Sequence, residues 1–429
     1  MTFSSVLLAA CMLGLWTLGD LRANAREAVL LMLLGGIGHA LLCWSLARAW
    51  PSWGPSKHRI ATATVLLAAV ALRLLSLGMP PSLSDDIYRY RWDGRVQAAG
   101  RNPYAEPPAA AALESMRDEH WSRINYPRIR TIYPPLAQVL FGVTYDLGNS
   151  VRMFQVVAAL GDLLTIVLLL GCLRAWRRPR WQLAIYALHP LPALEFASSG
   201  HFDAWAIAAV LAALLSHARG RGVLSTLLLA CGVLLKTWPL VFVPLLLRQR
   251  QRWHLPLFAG SILLGYAPFL DAGVAMLQPW LDYAGRWRFN DGAFYLLHAV
   301  SGSQASAKAL AAGLGLGLLL WLWRRRDDPV HAGYWLLLVF TLLMPTIHPW
   351  YLLWALPLAA AATDIGWVAL CTLAPTAYWI LVVNAGDSNL WIEPWWPRMV
   401  EYLPAIAIWV WQARNSRPPA PGESGNVNR

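Results

Sequence analysis

Charge is what this sequence has least of. Of 429 residues only 14% are charged and 57% are hydrophobic, where a soluble enzyme carries about 25% charge. That excludes an ordinary soluble protein, and no soluble domain stands out along the chain. Cysteine is scarce as well. Cys11, Cys43, Cys172, Cys231 and Cys371 all fall in apolar stretches. They have neither metal-ligand spacing nor a disulfide framework and read as small buried hydrophobes. There is no Walker lysine motif and no Gly-rich phosphate loop, which argues against an ATP-driven pump. Nothing with fixed ligand spacing such as His-Glu-x-x-His appears. A divalent metal therefore has no support from spacing, and no cofactor is expected.

Long apolar runs are what the sequence has in abundance. They recur from end to end, each long enough or nearly so to cross about 30 Å of hydrocarbon. About twelve to fourteen spans are expected, with those between residues 181 and 247 short and broken by proline. The chain is thus an all-α polytopic membrane protein. The stretch Met1 to Gly19 has no basic leader and no small-residue cleavage site, and reads as a retained first span. The net charge of +12 would suggest nucleic acid in a soluble protein. Here most arginines sit in short loops, the positive-inside pattern, so no nucleic-acid partner is expected.

Those basic loops set the topology. Arg48 to Arg59, Arg174 to Arg180, Arg219 to Arg221, Arg248 to Arg252 and Arg324 to Arg326, with Arg414 and Arg417, are placed inside. Residues 80–132 then form a large outer loop, although Arg89, Arg91, Arg95, Arg101, Arg117, Arg123, Arg128 and Arg130 oppose the rule there. Tyr133 to Leu147 is too short to span and is expected as a helix at the interface, opened by Pro134-Pro135. With this orientation every distinctive polar motif falls on one side, the outside. Scattered motifs on one face suggest one site.

The first of these motifs is the island Ser84-Asp85-Asp86-Ile87-Tyr88-Arg89-Tyr90-Arg91-Trp92-Asp93, at the end of a span. Ionisable groups in such a place are costly without a use. Ser84 can cap a short helix whose first turn holds Asp85 and Asp86. Acids in a first turn are also what any helix start prefers. At helical spacing Asp86, Tyr90 and Asp93 share a face, while Asp85–Arg89 and Arg89–Asp93 can pair. Asp86 is the expected chemical group, Asp85 its candidate companion, Tyr88 a ligand-facing aromatic, and Asp93 structural. Lys236 interrupts the run Leu227 to Leu247; it either snorkels or neutralises a phosphate at the membrane surface. His201 and Asp203 open a span after Gly200, as a cap or as groups reaching an acceptor or phosphate. His348 lies in a Pro-flanked break, where backbone unwinds to line a cavity. Arg286 and Arg288 sit in an aromatic outer loop with Asn290 and Asp291. Guanidinium suits phosphate and Trp faces suit sugar rings, although anchoring arginines and an aromatic belt look the same in sequence. The 25 tryptophans are mostly that belt.

Taken in order, Asp85-Asp86, Gly100-Arg101-Asn102-Pro103-Tyr104 and Tyr133-Pro134-Pro135-Leu136 resemble the first outer loop of GT-C superfamily glycosyltransferases. The nearest resemblance is to bacterial mannosyltransferases that use a polyprenyl-phosphate sugar. Gly200-His201-Phe202-Asp203, Leu235-Lys236-Thr237-Trp238-Pro239 and His348-Pro349-Trp350-Tyr351 resemble later segments of that family. Two departures stand out: the acids are adjacent rather than split as Asp-x-Asp, and Phe202 occupies the place of an Asn.

The resemblance implies a GT-C-like helical bundle over residues 60–412 with its catalytic loop at 80–149. Residues 1–59 would be additional N-terminal helices, and 413–429 a disordered cytoplasmic tail. It further implies transfer of a hexose, mannose by analogy, from a polyprenyl-phosphate donor to an acceptor hydroxyl, with inversion. The site would face the outside of a bacterial inner membrane, among membrane lipids. Asp86 would be the general base, Asp85 would orient it or hold a sugar hydroxyl, and Lys236, His348, Arg286 or Arg288 would be the phosphate partners. A glycolipid, a glycan or a protein would each serve as acceptor. Two other classes stay open: a lipid or solute transporter, although no inverted repeat is found, and a non-catalytic assembly factor.

Overall fold

The computed structural model describes residues 2–248, 252–384 and 392–415, without the side chains of residues 248, 284 and 286. Regular structure among the described residues is helical throughout; the nearest thing to a sheet is one parallel bridge between Phe289 and Thr346. Six helices are long and apolar enough to cross a membrane: Ala25–Ser52, Pro55–Leu77, Val151–Ala175, His254–Met276, Gln304–Arg325 and Ile365–Val383. A seventh is obtained if Pro190–Ser198 and Asp203–Ala218, bent by 119°, form one broken span. Four shorter apolar helices complete the set: Thr2–Leu18, Gly222–Leu235, Trp238–Leu247 and Pro329–Leu342. This is fewer full-length spans than hydropathy predicts. The reason lies in prolines at 190, 239 and 349, which start new tight turns inside apolar runs.

Local chemistry sets the helix ends. Val151–Ala175 begins at Ser150, whose hydroxyl accepts from the Met153 amide, and ends with Arg174 in its last turn. Gln304–Arg325 begins in the same way at Ser303 and ends in Arg324 and Arg325. One face of this second helix, with Leu310, Leu314 and Trp321, stays exposed as a lipid-facing stripe. The first two helices pack as a hairpin whose turn carries Arg22.

A buried ion pair joins the central elements. Arg73 Nε lies 2.7 Å from Asp162 Oδ2, and Tyr186 donates to Asp162 Oδ1 at 2.7 Å. Both charged side chains are sealed from solvent, so removing either one strands the other, at a cost of about 3–5 kcal/mol. The main hydrophobic core includes Tyr186 from this network, and Phe196, Trp367 and Leu214 are fully buried in it.

A second, aromatic core sits under the outer loop. The helix Asp86–Ala98 crosses Pro135–Leu147 so closely that a Cβ on Gly94 would meet the Phe141 carbonyl oxygen. Tyr90, Tyr133, Phe141 and Phe202 meet edge to face and stacked, with centroids 4.7 to 5.5 Å apart. The helix expected from Tyr133 to Leu147 is present as Pro135–Leu147.

Candidate active site

Four segments far apart in sequence converge on Asp86. The helix bearing it starts at Asp86, with Asp85 as the residue before it. Asp85, not Ser84, therefore occupies the cap position, and Ser84 stands one residue before it with its hydroxyl accepting from the Asp86 amide at 3.3 Å. The Asp86 side chain is one-fifth exposed. Its Oδ1 accepts from Asn125 Nδ2 at 2.8 Å, and its Oδ2 lies 3.9 Å from His201 Nδ1. Burial pushes the Asp86 carboxyl above the usual carboxylate range, against the pull of the Asn125 hydrogen bond and the Lys236 charge.

His201 reaches this place because the bent pair breaks there. Residues 193–198 form a wide π-type turn, and Gly200 follows with φ +77°. A Cβ on Gly200 would also meet Ile87 at 2.4 Å, so a glycine allows the break to press against the Asp86 helix. His201 is fully buried, stacked on Trp350 with centroids 3.9 Å apart. Trp350 in turn stacks on His348 at 4.4 Å and 6°. The expected break at His348 is real: its backbone is extended, and a tight helical turn, Pro349–Trp354, begins after it. Burial, seconded by the Lys236 charge, lowers the His348 pKa to about 3. At neutral pH this imidazole is uncharged and offers a hydrogen bond rather than a positive charge.

Lys236 ends the helix Gly222–Leu235 with extended backbone, so its side chain leaves the helix axis where the apolar run stops. Its Nζ lies 3.2 Å from Asp203 Oδ2 and 5.2 Å from the centre of the Tyr133 ring. Asp203 heads the second half of the bent pair, and its Oδ1 accepts from Trp354 Nε1 at 2.8 Å. The Lys236 charge acts on Asp86, and aromatic rings line the neighbouring positions. Tyr351 stacks on Trp354 at 4.4 Å, and its hydroxyl lies 2.9 Å from that of Tyr283.

The remaining candidates stand apart from this group. Asp85 faces the N-terminal hairpin: Arg22 Nη2 is 2.8 Å from its Oδ2 and Arg123 Nη2 is 3.8 Å from its Oδ1. The expected Arg89–Asp93 pair forms at 2.8 Å, and Gln138 donates to the other Asp93 oxygen, which fits a structural role. Tyr88 packs against His120 and under Arg123, toward Asp85. Arg288 is bound by Asp291 at 2.6 Å, and Asp291 is shared with Arg398, which also holds Glu393. This loop touches the site through Phe289, whose backbone pairs with Pro345 and Ile347 and whose ring lies 5.0 Å from His348. The side chain of Arg286 lies outside the described residues. Among the described residues no three metal-ligating side chains cluster; Asp85 and Asp86 point to different partners.

Two contributors escaped the sequence reading. Asn125 looks like any loop asparagine. Glu195 is a lone acid in the apolar run Leu191 to Ala197; an ionisable residue in such a run is itself the signal. It is fully buried, its Oε2 lying 3.5 Å from His201 Nε2 and its Oε1 accepting from Tyr378 at 2.5 Å.

A family model described as "Alpha-(1->6)-mannopyranosyltransferase, N-terminal domain" matches residues 4–249, more than half of the chain. The chain belongs to the alpha-(1->6)-mannopyranosyltransferase family. A second model, "MptB C-terminal domain", matches residues 298–414. The chain is 24% identical to "Alpha-(1->6)-mannopyranosyltransferase A" of Mycobacterium tuberculosis (strain ATCC 25618 / H37Rv) over 427 residues, covering 88% of this chain and 80% of that protein. No solved structure matches. The family of GT-C-type mannosyltransferases expected from the motifs is therefore the right one. With its apolar helices, the protein is a membrane-integral, mannose-transferring glycosyltransferase.

Proposed function

We propose that this mannosyltransferase takes its sugar from a polyprenyl-phosphate donor. The sugar passes to an acceptor hydroxyl at the outer face of a bacterial inner membrane. The observation that carries this reading is the meeting of Asp86, His201, Lys236 and His348 in one aromatic-walled site. A carboxylate that burial makes a better base is suited to remove the acceptor proton as its oxygen attacks the anomeric carbon. The departing phosphate gains charge as the sugar–oxygen bond breaks. Lys236 is the cation placed to stabilise that charge, and the neutral His348 supplies a hydrogen bond. In-line attack on a β-linked donor inverts the centre to an α-mannoside. The name of the mycobacterial relative suggests a 1→6 linkage.

A lipid-linked leaving group needs no nucleotide, and the transition state has oxocarbenium character, as in glycoside hydrolysis. Asp85 is proposed to hold the start of the Asp86 helix through Arg22 rather than to touch the sugar. A glycolipid or glycan acceptor would approach from the exposed side of Asp86.

Purified protein supplied with β-linked polyprenyl-phosphate mannose and a mannosyl acceptor tests this reading. Proton NMR of the product should show an α-anomeric mannose, with polyprenyl phosphate released in equal amount. A β product would rule out the inverting step. Transfer from a nucleotide sugar alone would rule out the lipid donor.

A further inference from the structure

Among the buried groups with no place in that mechanism, Glu195 stands out. It lies fully buried on the side of His201 opposite Asp86. The imidazole thus bridges two carboxylates, with Nδ1 3.9 Å from Asp86 Oδ2 and Nε2 3.5 Å from Glu195 Oε2. The backbone holds the spacing, because the His201 amide donates to the Glu195 carbonyl at 3.0 Å across the wide turn. His201 Nε2 and Glu195 Oε2 have no hydrogen-bond partner among the described residues. Two unmatched buried polar atoms that face each other call for a reason. Separations slightly beyond hydrogen-bond length are common in catalytic arrays without substrate, and they shorten when it binds.

We propose that Glu195 is a positioning and proton-holding residue that acts on Asp86 through His201, forming a three-member relay. This rests on Asp86 as the base. The relay runs from the form with Glu195 ionised and His201 carrying its proton on Nε2; an ionised carboxylate is costly to bury, so this form gains weight as pH rises. The acceptor hydroxyl gives its proton to Asp86 while its oxygen bonds to the anomeric carbon and the sugar–phosphate bond breaks. Asp86 passes that proton to His201 Nδ1, and His201 passes its Nε2 proton to Glu195 Oε2. One O–H bond is lost at the acceptor and one is gained at Glu195. His201 changes tautomer and Asp86 is again a carboxylate. The negative charge lost at Glu195 reappears on the departing phosphate, so total charge is unchanged. The proton is kept from the leaving phosphate and returns by the same path once product has left.

The other groups facing this line fit the assignment. Tyr90 OH, 3.4 Å from Nδ1, competes with Asp86 for that nitrogen until substrate draws Asp86 closer. Tyr378 donates to Glu195 Oε1 and so leaves Oε2 to receive the proton. Burial is the largest influence on both groups; Lys236 and His348 also face His201, and the Ser199 hydroxyl and Asp203 also face Glu195. Trp350 covers the imidazole face and excludes water.

The test is transfer from β-linked polyprenyl-phosphate mannose by Glu195→Gln, His201→Phe, the double variant and Asp86→Asn, with wild type alongside. Glu195→Gln keeps shape but cannot accept the proton. It should keep its melting temperature and donor KM and lose about 10- to 100-fold in kcat. His201→Phe should lose a similar amount, and the double variant should be no worse than either single one, because the residues act as a unit. Turnover in mixtures of light and heavy water should depend on deuterium fraction with curvature in wild type and linearly in either single variant. A merely structural Glu195 would not move that curvature. Glu195→Gln at wild-type kcat, or losses that multiply in the double variant, would overturn the relay. If Asp86→Asn is dead while Glu195→Gln is unaffected, the relay fails and the base stands. If Asp86→Asn remains active, the base fails and takes the relay with it. Should Glu195→Gln not fold, the deuterium response of His201→Phe alone decides: linear supports the relay, curved refutes it.

Discussion

Lys236→Met separates two jobs that one side chain performs. The ammonium lies 3.2 Å from Asp203 Oδ2, a carboxylate with no exposed surface. Removing one member of such a buried pair leaves an uncompensated charge and costs about 3–5 kcal/mol. The same magnitude, about 5 kcal/mol, follows from Coulomb's law at that distance with an effective dielectric near 20. For a chain of this length that corresponds to a fall in melting temperature of about 4 °C, by the usual entropy of unfolding per residue. Adding Asp203→Asn removes the stranded charge but keeps the oxygen that accepts from Trp354. The double variant should therefore regain most of the lost melting temperature. It should not regain transfer, because the cation at the leaving phosphate is still missing. We expect both variants to turn over about 10²- to 10³-fold more slowly than wild type. Lys236→Arg, which keeps the charge, should retain far more activity. The assays are thermal unfolding in detergent and release of polyprenyl phosphate on the same samples. If the double variant recovers transfer together with stability, Lys236 serves only Asp203 and the assigned phosphate role is wrong.

Two further expectations concern the carboxylates. Asn125→Ala removes a hydrogen bond that favours ionised Asp86. Asp86 titrates above the ordinary carboxylate range and must be ionised to act, so transfer falls as pH drops through its pKa. Without Asn125 that acid limb should move to higher pH, with the high-pH plateau little changed; an unmoved limb in the pH–rate profile would detach Asn125 from the base. Asp85→Asn breaks a pair whose arginine is 40% and whose carboxylate is 24% exposed. It should cost no more than about 1 kcal/mol in thermal unfolding and leave transfer within about tenfold of wild type. A loss equal to that of Asp86→Asn would make Asp85 a catalytic group after all.

The helical class and the convergence of Asp86, His201, Lys236 and His348 were legible because each motif is local. A polar residue beside a Gly or Pro in an apolar run is visible wherever it occurs. The number of full-length spans was less legible, since hydropathy windows run across Pro239 and Pro349 where the backbone starts a new turn. Partners set by the tertiary fold were not legible at all. Arg22 meets Asp85 across 63 positions, and Tyr378 meets Glu195 across 183. Helical spacing offered Arg89 as a partner for Asp85, but Arg89 turns to Asp93 and Arg22 takes its place. Arg288 read as a phosphate partner or a belt anchor because the acid beside it, Asp291, also suits an exposed loop. Arg398, from a helix more than a hundred residues later, closes that network.

The central claim is that Asp86 removes the acceptor proton. Its most direct test is a single-turnover measurement of mannose transfer from the polyprenyl-phosphate donor, with wild type and Asp86→Asn compared under saturating acceptor. The variant keeps shape and can still bind donor, but it has no lone pair basic enough to take the proton. The account predicts unchanged donor affinity and a transfer rate lowered by about 10²- to 10⁴-fold. Transfer by Asp86→Asn at a rate near that of wild type would contradict it.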